Sequence, residues 1–353
     1  MRNKTIAFCV RKDYQSAPGG DMVQMEAWAK ILQELDNRVI VLSGAVHAED
    51  LTEADCVFIW HLERLHESFQ PWQVARSLQK PIFLVPTCWH SLAGITLWRS
   101  CKEQLSWLLR LLLGKNSASL KTVFFSNWRS CRKRLLMESS MLLVNSESEK
   151  KYLVGEGANP ETIIVIPNTI NLAEIAAIPE IPWEQRHGIV CVGHFCPRKN
   201  QYELIQALQD TDCQVTFIGS ARPMHKHYYR RCRDAAKNRH HFMGDIPRHQ
   251  VLQELGNARV CISFSHEETP GISNLEAAAL GCSLLLPDIE PIREYFGDLA
   301  EYLQSGKMDL TRLPQLVTQE PTPDLKKLIF EKYSEVVVKK IFERLTIPER
   351  ITI

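Results

Sequence analysis

Compact runs of Val, Ile, Leu, Phe and Cys alternate along the chain with longer stretches whose apolar residues recur at helical spacing. In the first half the runs fall at 5–10, 38–42, 55–60, 81–85, 141–144 and 162–166. In the second half they fall at 188–193, 214–219, 239–243, 259–264, 283–286 and 299–303. They lack the polar alternation of a half-exposed strand, which predicts strands covered on both faces. Helix-length segments lie between them, among them 22–35, 201–208 and 271–280. Strand and helix in turn predict an α/β fold of parallel sheets with crossover helices.

Twelve strands exceed what one sheet comfortably holds, and the chain offers a break. After Ile164-Val-Ile-Pro-Asn168, the stretch from Thr169 to His187 is interrupted by Pro179 and Pro182 and shows no clear period. We read it as the connection between an N-terminal domain, 1–170, and a C-terminal domain, 171–322. A single long amphipathic helix is expected over about 323–345, within a C-terminal piece spanning 323–353. The length of 353 residues agrees with about two domains.

Composition narrows the class only a little. Charged residues at 24% and hydrophobic ones at 45% are ordinary for a globular protein. Lys+Arg 42 against Asp+Glu 41 leaves +1, which predicts no polyanionic partner such as nucleic acid. No stretch reaches the roughly 18 apolar residues of a spanning helix, and the N-terminus lacks a secretory pattern. A cytoplasmic protein is expected, at most peripheral to the inner face of a membrane. The 11 cysteines form no C-x-x-C pair and several lie in strand-like runs, which suits buried thiols. His225-Lys-His227 and His240-His241 lack further ligands at metal spacing, so no metal and no cofactor is expected.

Charge is informative locally. From Trp98 to Arg134 there are nine Lys/Arg against Glu103 alone, interleaved with Trp98, Trp107, Phe124, Phe125 and Trp128. Such a segment, 98–134, suits an anionic membrane surface and equally suits two helices with solvated basic faces. A membrane role would fall to Arg129, Arg132, Lys133 and Arg134 among others. The second basic run, Arg222 to Arg239, reads as a solvated face.

Two loops carry the candidate chemistry. The first is Val192-Gly-His-Phe-Cys-Pro-Arg198-Lys199-Asn200, which follows one strand and precedes a helix. The second is Ser265-His-Glu-Glu268-Thr-Pro-Gly271-Ile272-Ser273-Asn-Leu-Glu276, running from a strand into a helix that begins near Gly271. A helix start offers unpaired amides and a positive dipole end to an anion, and a glycine there allows close approach. Arg198 and Lys199 can neutralise a diphosphate at that start. Glu276, a turn into the helix, can accept hydrogen bonds from a vicinal diol, as acidic residues do for ribose. Each feature alone also reads blandly, as dipole-stabilised acids or a solvated basic loop.

The order Gly193…Lys199-Asn200, Phe217-Ile-Gly219, Gly244-Asp245-Ile, Ser265…Glu268…Glu276-Ala and Gly281 resembles the C-terminal domain of family 4 glycosyltransferases. Pro18-Gly19-Gly20, Val144-Asn-Ser146 and Ile166-Pro-Asn168 look like that family's N-terminal markers, so the resemblance covers about 4 to 305. It implies a GT-B fold: two Rossmann-like domains with parallel sheets facing a central cleft, the last helix returning to the first domain. It also implies retaining, metal-independent transfer of a sugar from a nucleotide-sugar donor to a glycan or lipid-linked acceptor. By matching position, Lys199 would grip the donor diphosphate and Glu276 the ribose. Glu268 would face the donor sugar, and the Gly271, Ile272 and Ser273 backbone would contact the leaving phosphates. His90 resembles the family's histidine near the donor sugar, with His61 a second candidate; either also reads as a structural hydrogen-bonder. Gly19 and Gly20 would admit phosphate or acceptor to the backbone, although a tight turn alone would explain them.

One departure stands out. The family usually has Arg after the glycine that Gly193 matches, and this chain has His194, a donor mostly neutral near pH 7. Arg198 can restore the second positive charge. The departure leaves open a catalytically silent module that binds nucleotide or glycan for a partner, and a sugar-nucleotide epimerase of the same fold is a nearer alternative. Asp210-Thr-Asp212 mimics a metal-binding pair, but its place between a helix and the following strand marks a polar turn.

Overall fold

A computed structural model describes residues 1–15, 19–88, 128–303 and 309–348. His90 and the 98–127 part of the basic segment therefore lie outside the described residues. Among the described residues twelve parallel strands form two six-stranded sheets. They are β1 Thr5–Val10, β2 Arg38–Ser43, β3 Cys56–Trp60, β4 Ile82–Val85, β5 Met141–Val144 and β6 Ile163–Val165 in the first sheet. The second contains β7 Ile189–Val192, β8 Val215–Ile218, β9 His241–Gly244, β10 Val260–Ile262, β11 Ser283–Pro287 and β12 Glu301–Leu303. Every apolar run read from the sequence is a strand, with ends shifted by a residue or two. The strand orders are β2-β1-β3-β4-β5-β6 and β12-β11-β10-β7-β8-β9.

The absence of polar alternation has a direct cause. In β1 and β3, Ala7, Cys9, Val57 and Ile59 enter one core while Ile6, Phe8, Val10, Cys56, Phe58 and Trp60 enter another on the opposite face. The second sheet divides its side chains in the same way, with Val190, Cys261 and Leu284 on one face and Cys191, Val260 and Leu285 on the other. Edge strands are the exception: β2 and β9 have no fully buried residue, as one uncovered side dictates. Burial pushes the thiols of Cys9, Cys56, Cys191 and Cys282 up to about 12, and no disulfide joins the ten cysteines among the described residues.

The chain divides into two compact units, one of Met1–Pro167 with Val338–Ile353 and one of Asn168–Val337. The single long C-terminal helix expected over 323–345 is instead two, Pro323–Lys332 and Glu335–Arg344. Its break has a tertiary cause. The Tyr333 carbonyl accepts hydrogen bonds from the Ile170 amide and the Thr169 hydroxyl, both 2.9 Å, so the chain leaves helical geometry there. Tyr333 also stacks on Tyr295 at 4.3 Å between centroids. The second helix then turns Val338 and Phe342 into the first unit's core, where Phe342 meets Trp28 edge-on at 5.3 Å. The terminal amine of Met1 donates to the carbonyls of Phe342 and Leu345 at 2.7 and 2.8 Å. Among the described residues no helix is long and apolar enough to cross a membrane.

Candidate functional site

In a parallel sheet a crevice opens outside the carboxyl ends of two neighbouring strands whose connections leave in opposite directions. The second sheet reverses between β7 and β10, which pair directly. The two loops singled out from the sequence follow these two strands. Their meeting is therefore a consequence of strand order.

Backbone packing shapes the first loop. Gly193 and Gly219 close on each other, Gly193 taking φ +150° and Gly219 φ +132°. A Cβ on Gly219 would lie 2.4 Å from the Gly193 carbonyl oxygen, so only glycine fits there. Phe195 pins the loop from below, buried against Tyr229 and Phe242 at 4.8 and 5.7 Å. A short turn, Pro197–Lys199, then ends at Asn200 in the left-handed region, φ +55°. This turn directs Lys199 back over Gly193, whose Cβ position lies 3.6 Å from Lys199 Cε.

The second loop meets it through a set of charge-bearing contacts. The His266 amide donates to the Arg198 carbonyl and the Arg198 guanidinium donates to the Glu267 carbonyl, at 2.9 and 2.7 Å. Lys199 forms an ion pair with Glu268, and the Ser265 hydroxyl donates to the same carboxylate oxygen at 3.1 Å. Arg198 lies 3.9 Å from the other oxygen. Glu268 is 7% exposed and Lys199 18%, so the pair is largely withdrawn from water. Gly271 takes φ +75° and adjoins Glu268, its Cβ position 3.7 Å from Cδ of that side chain. The helix that follows, Ile272–Ala279, opens with amides that have no preceding turn to bond. Lys199, Arg198, Glu268 and this helix start thus converge. His194 is half-buried at the end of β7, and its carbonyl accepts from Gln201 at 2.9 Å.

Glu276 lies further along the same helix, with a companion that the sequence reading missed. It is 3% exposed, and Oε1 accepts from Arg248 Nη2 at 2.6 Å. Arg248 Nε in turn donates to Glu174 Oε2, again at 2.6 Å. Burial raises the Glu276 carboxyl above its ordinary value and Glu174 adds to this, while Arg248 opposes both. A signal was present: Arg248 is the first residue of the Arg248–Asn257 helix, where a cation opposes the dipole.

The first unit has its own switch point, between β1 and β3, which pair directly. There Arg11, 1% exposed, donates from Nε to Asp21 Oδ2 at 2.6 Å and from Nη1 to Asp13 Oδ1 at 2.7 Å. His61, in the left-handed region at φ +72°, places Nε2 3.2 Å from Asp21 and Nδ1 2.8 Å from the Thr87 hydroxyl. Burial works to raise the Asp21 carboxyl, but His61 and Arg11 outweigh it and hold that carboxyl well below the usual range. Gly19 and Gly20 start the Gly20–Gln33 helix beside this cluster. A Cβ on Gly19 would fall 2.6 Å from Asp21 Oδ1, so that glycine makes room for the Asp21 carboxylate.

Other sequence readings resolve simply. His240 is a core residue, edge-on to Phe217 at 5.9 Å. Asp210 and Asp212 lie in the turn ahead of β8, at the amino end of the strand. Among the described residues no three His, Cys, Asp or Glu side chains are grouped as metal ligands. At the described end of 98–134, Arg132 and Arg134 make contacts within the fold. Arg132 is buried against Glu156 and Tyr152, and Arg134 stacks over Trp72 at 4.9 Å and bonds Glu138. Arg129 and Lys133 are exposed, Arg134 is half-exposed with its acid partner on its own helix, and Arg132 alone of the four is buried.

Comparison with known structures defines the class of fold. Sucrose-phosphate synthase from Thermosynechococcus elongatus superimposes with a TM-score of 0.71 at 14% identity, covering 97% of this chain and 98% of that one. Anabaena HepE in complex with UDP and glucose gives 0.70 at 13% identity, over 96% and 98%. The lipopolysaccharide outer core galactosyltransferase WaaB gives 0.59 at 14%, over 97% and 100%. The two parallel six-stranded α/β units match these GT-B glycosyltransferase structures. More particularly, residues 177–306 match the family model for glycosyl transferases group 1, a span that contains Lys199, Glu268, Glu276 and Arg248. No curated protein matches the chain.

Proposed function

We propose that the protein is a retaining glycosyltransferase using a nucleoside-diphosphate sugar. The observation that carries this reading is the Lys199–Glu268 pair, set at the β7/β10 switch point beside the Ile272–Ala279 helix start. Lys199, Arg198 and the amides of Ile272 and Ser273 bind the diphosphate and stabilise the charge it gains on leaving. Glu276 accepts hydrogen bonds from the ribose hydroxyls, and Glu268 faces the sugar. HepE, solved with UDP, UDP-glucose and UDP plus glucose, supports this donor class.

In the reaction the bond between the anomeric carbon and the diphosphate oxygen breaks, and a bond to the acceptor hydroxyl forms on the same face. The acceptor proton passes to the departing phosphate oxygen, so no enzyme nucleophile and no metal is invoked. The acceptor is a glycan or a lipid-linked saccharide, the kind of molecule that the name of the lipopolysaccharide galactosyltransferase WaaB points to. The first unit, with its Arg11–Asp21–His61 cluster, is assigned to that acceptor.

The test is a thermal-shift panel with UDP, GDP, ADP, CMP and dTDP, because a ligand of the native state raises its stability. One nucleotide raising the melt, with the shift lost in Lys199→Ala and Glu276→Ala, supports the donor site. No shift with any of them refutes it. Product analysis then separates transfer from epimerisation, since transfer yields free nucleoside diphosphate and new glycoside in equal amounts.

A further inference from the structure

The Glu174–Arg248–Glu276 chain is not accounted for by the roles above. Glu276 lies on Ile272–Ala279, Arg248 opens the Arg248–Asn257 helix, and Glu174 lies on the short Leu172–Ala176 helix. A buried carboxylate needs a partner to remain an anion, and an arginine at a helix start has lost the favourable end of the dipole. The two problems are solved together. Arg248 meets both acids at 2.6 Å, one buried and one at the surface. Glu174 is itself fixed, because its amide donates to the Asn171 side chain at 3.1 Å.

We propose that Arg248 is a positioning residue of the donor site: anchored by Glu174, it holds the Glu276 carboxylate as an anion in one orientation through Oε1, leaving Oε2 to accept from the donor ribose. The inference rests on the ribose role given to Glu276 above. Arg248 touches no reacting atom; it acts through Glu276. The charged groups acting on Glu276 are Arg248 and, behind it, Glu174. The Pro323–Lys332 helix, which also packs on Ile272–Ala279, turns the apolar Leu325 and Ile329 into the shared core. Removing the guanidinium therefore leaves burial and Glu174 acting unopposed, and both favour the protonated carboxyl. Such a carboxyl donates where the ribose hydroxyls need an acceptor, so affinity falls as the pH is lowered.

The experiment measures affinity of the full chain for UDP, GDP and ADP between pH 5.5 and 8.5, in the parent, Arg248→Gln, Arg248→Lys and Glu174→Gln. The variant-to-parent ratio cancels the titration of the nucleotide's own phosphate. The expected result is a loss of tenfold or more in Arg248→Gln at pH 7, growing toward pH 5.5. Arg248→Lys, which keeps the charge, recovers most of the affinity and flattens the ratio. Glu174→Gln, altered at a half-exposed anchor away from the ligand, gives a smaller loss and keeps the test decisive if Arg248→Gln fails to fold. A parent that binds a nucleotide and loses it in Lys199→Ala, while the Arg248 and Glu174 variants bind as well as the parent at every pH, overturns this inference alone. A parent that binds none of UDP, GDP, ADP, CMP and dTDP overturns the donor-site reading and this inference with it.

Discussion

Replacing Gly219 by alanine should damage both the second unit's stability and its site. The added Cβ would meet the Gly193 carbonyl oxygen at 2.4 Å and its carbon at 2.8 Å, against an ordinary contact of 3.4 Å or more. Relief requires a displacement of about 1 Å, and the obstacle is backbone, which cannot rotate away as a side chain would. Both strands are held at this point: the Gly193 amide donates to the Ile218 carbonyl at 2.9 Å and the Gly219 amide to that of Gly244 at 2.8 Å. Overpacking of this kind costs about 1–3 kcal/mol, and a side chain at φ +132° about 1–3 kcal/mol more. Gly188→Ala is the matched control, since φ there is +79° but nothing lies within 4 Å of the added Cβ. It should cost about 1–2 kcal/mol, from backbone strain alone. Hydrogen exchange of peptides covering β7 and β8 reads each loss within its own unit. Nucleotide affinity should also fall in Gly219→Ala, because the Gly193 carbonyl cannot move without shifting the loop that carries Lys199. Equal protection in Gly219→Ala and Gly188→Ala would refute this reasoning.

Four further outcomes follow from the same contacts. Lys199→Ala should weaken nucleoside-diphosphate binding at least tenfold by calorimetry, with Lys199→Arg retaining part of it; unchanged affinity would remove Lys199 from the site. Glu149, 1% exposed, accepts from the Cys88 and Asn145 amides at 2.7 and 2.8 Å, so Glu149→Ala should cost about 2–4 kcal/mol in urea unfolding; a change below 0.5 kcal/mol would contradict it. Asp21 has a lowered folded pKa, so the stability it contributes is complete above about pH 4 and is lost as the pH falls below that. Asp21→Asn should flatten the acid limb of a stability–pH curve, and coincident limbs would count against the Asp21 contacts. Tyr295→Phe removes the acceptor of the Asn168 amide at 2.9 Å, and a loss of about 1 kcal/mol in the second unit is expected from denaturant melts.

The sequence alone determined the twelve strands, their parallel α/β character and the two loops that carry Lys199 and Glu268. These are legible because each depends on neighbours within a few residues: an apolar run, a glycine, a charge just after a strand. The strand orders were decided only by tertiary structure. They place the loop after β7 beside the loop after β10, 69 residues later for Lys199 and Glu268. The Arg248 clamp on Glu276 joins side chains 28 apart, and its anchor on Glu174 spans 74. The burial of Arg132 and the break of the last helix at Tyr333 belong to the same class. Local pattern says which face of an element is apolar, but a charge or a carbonyl takes its role from whatever the fold brings opposite it.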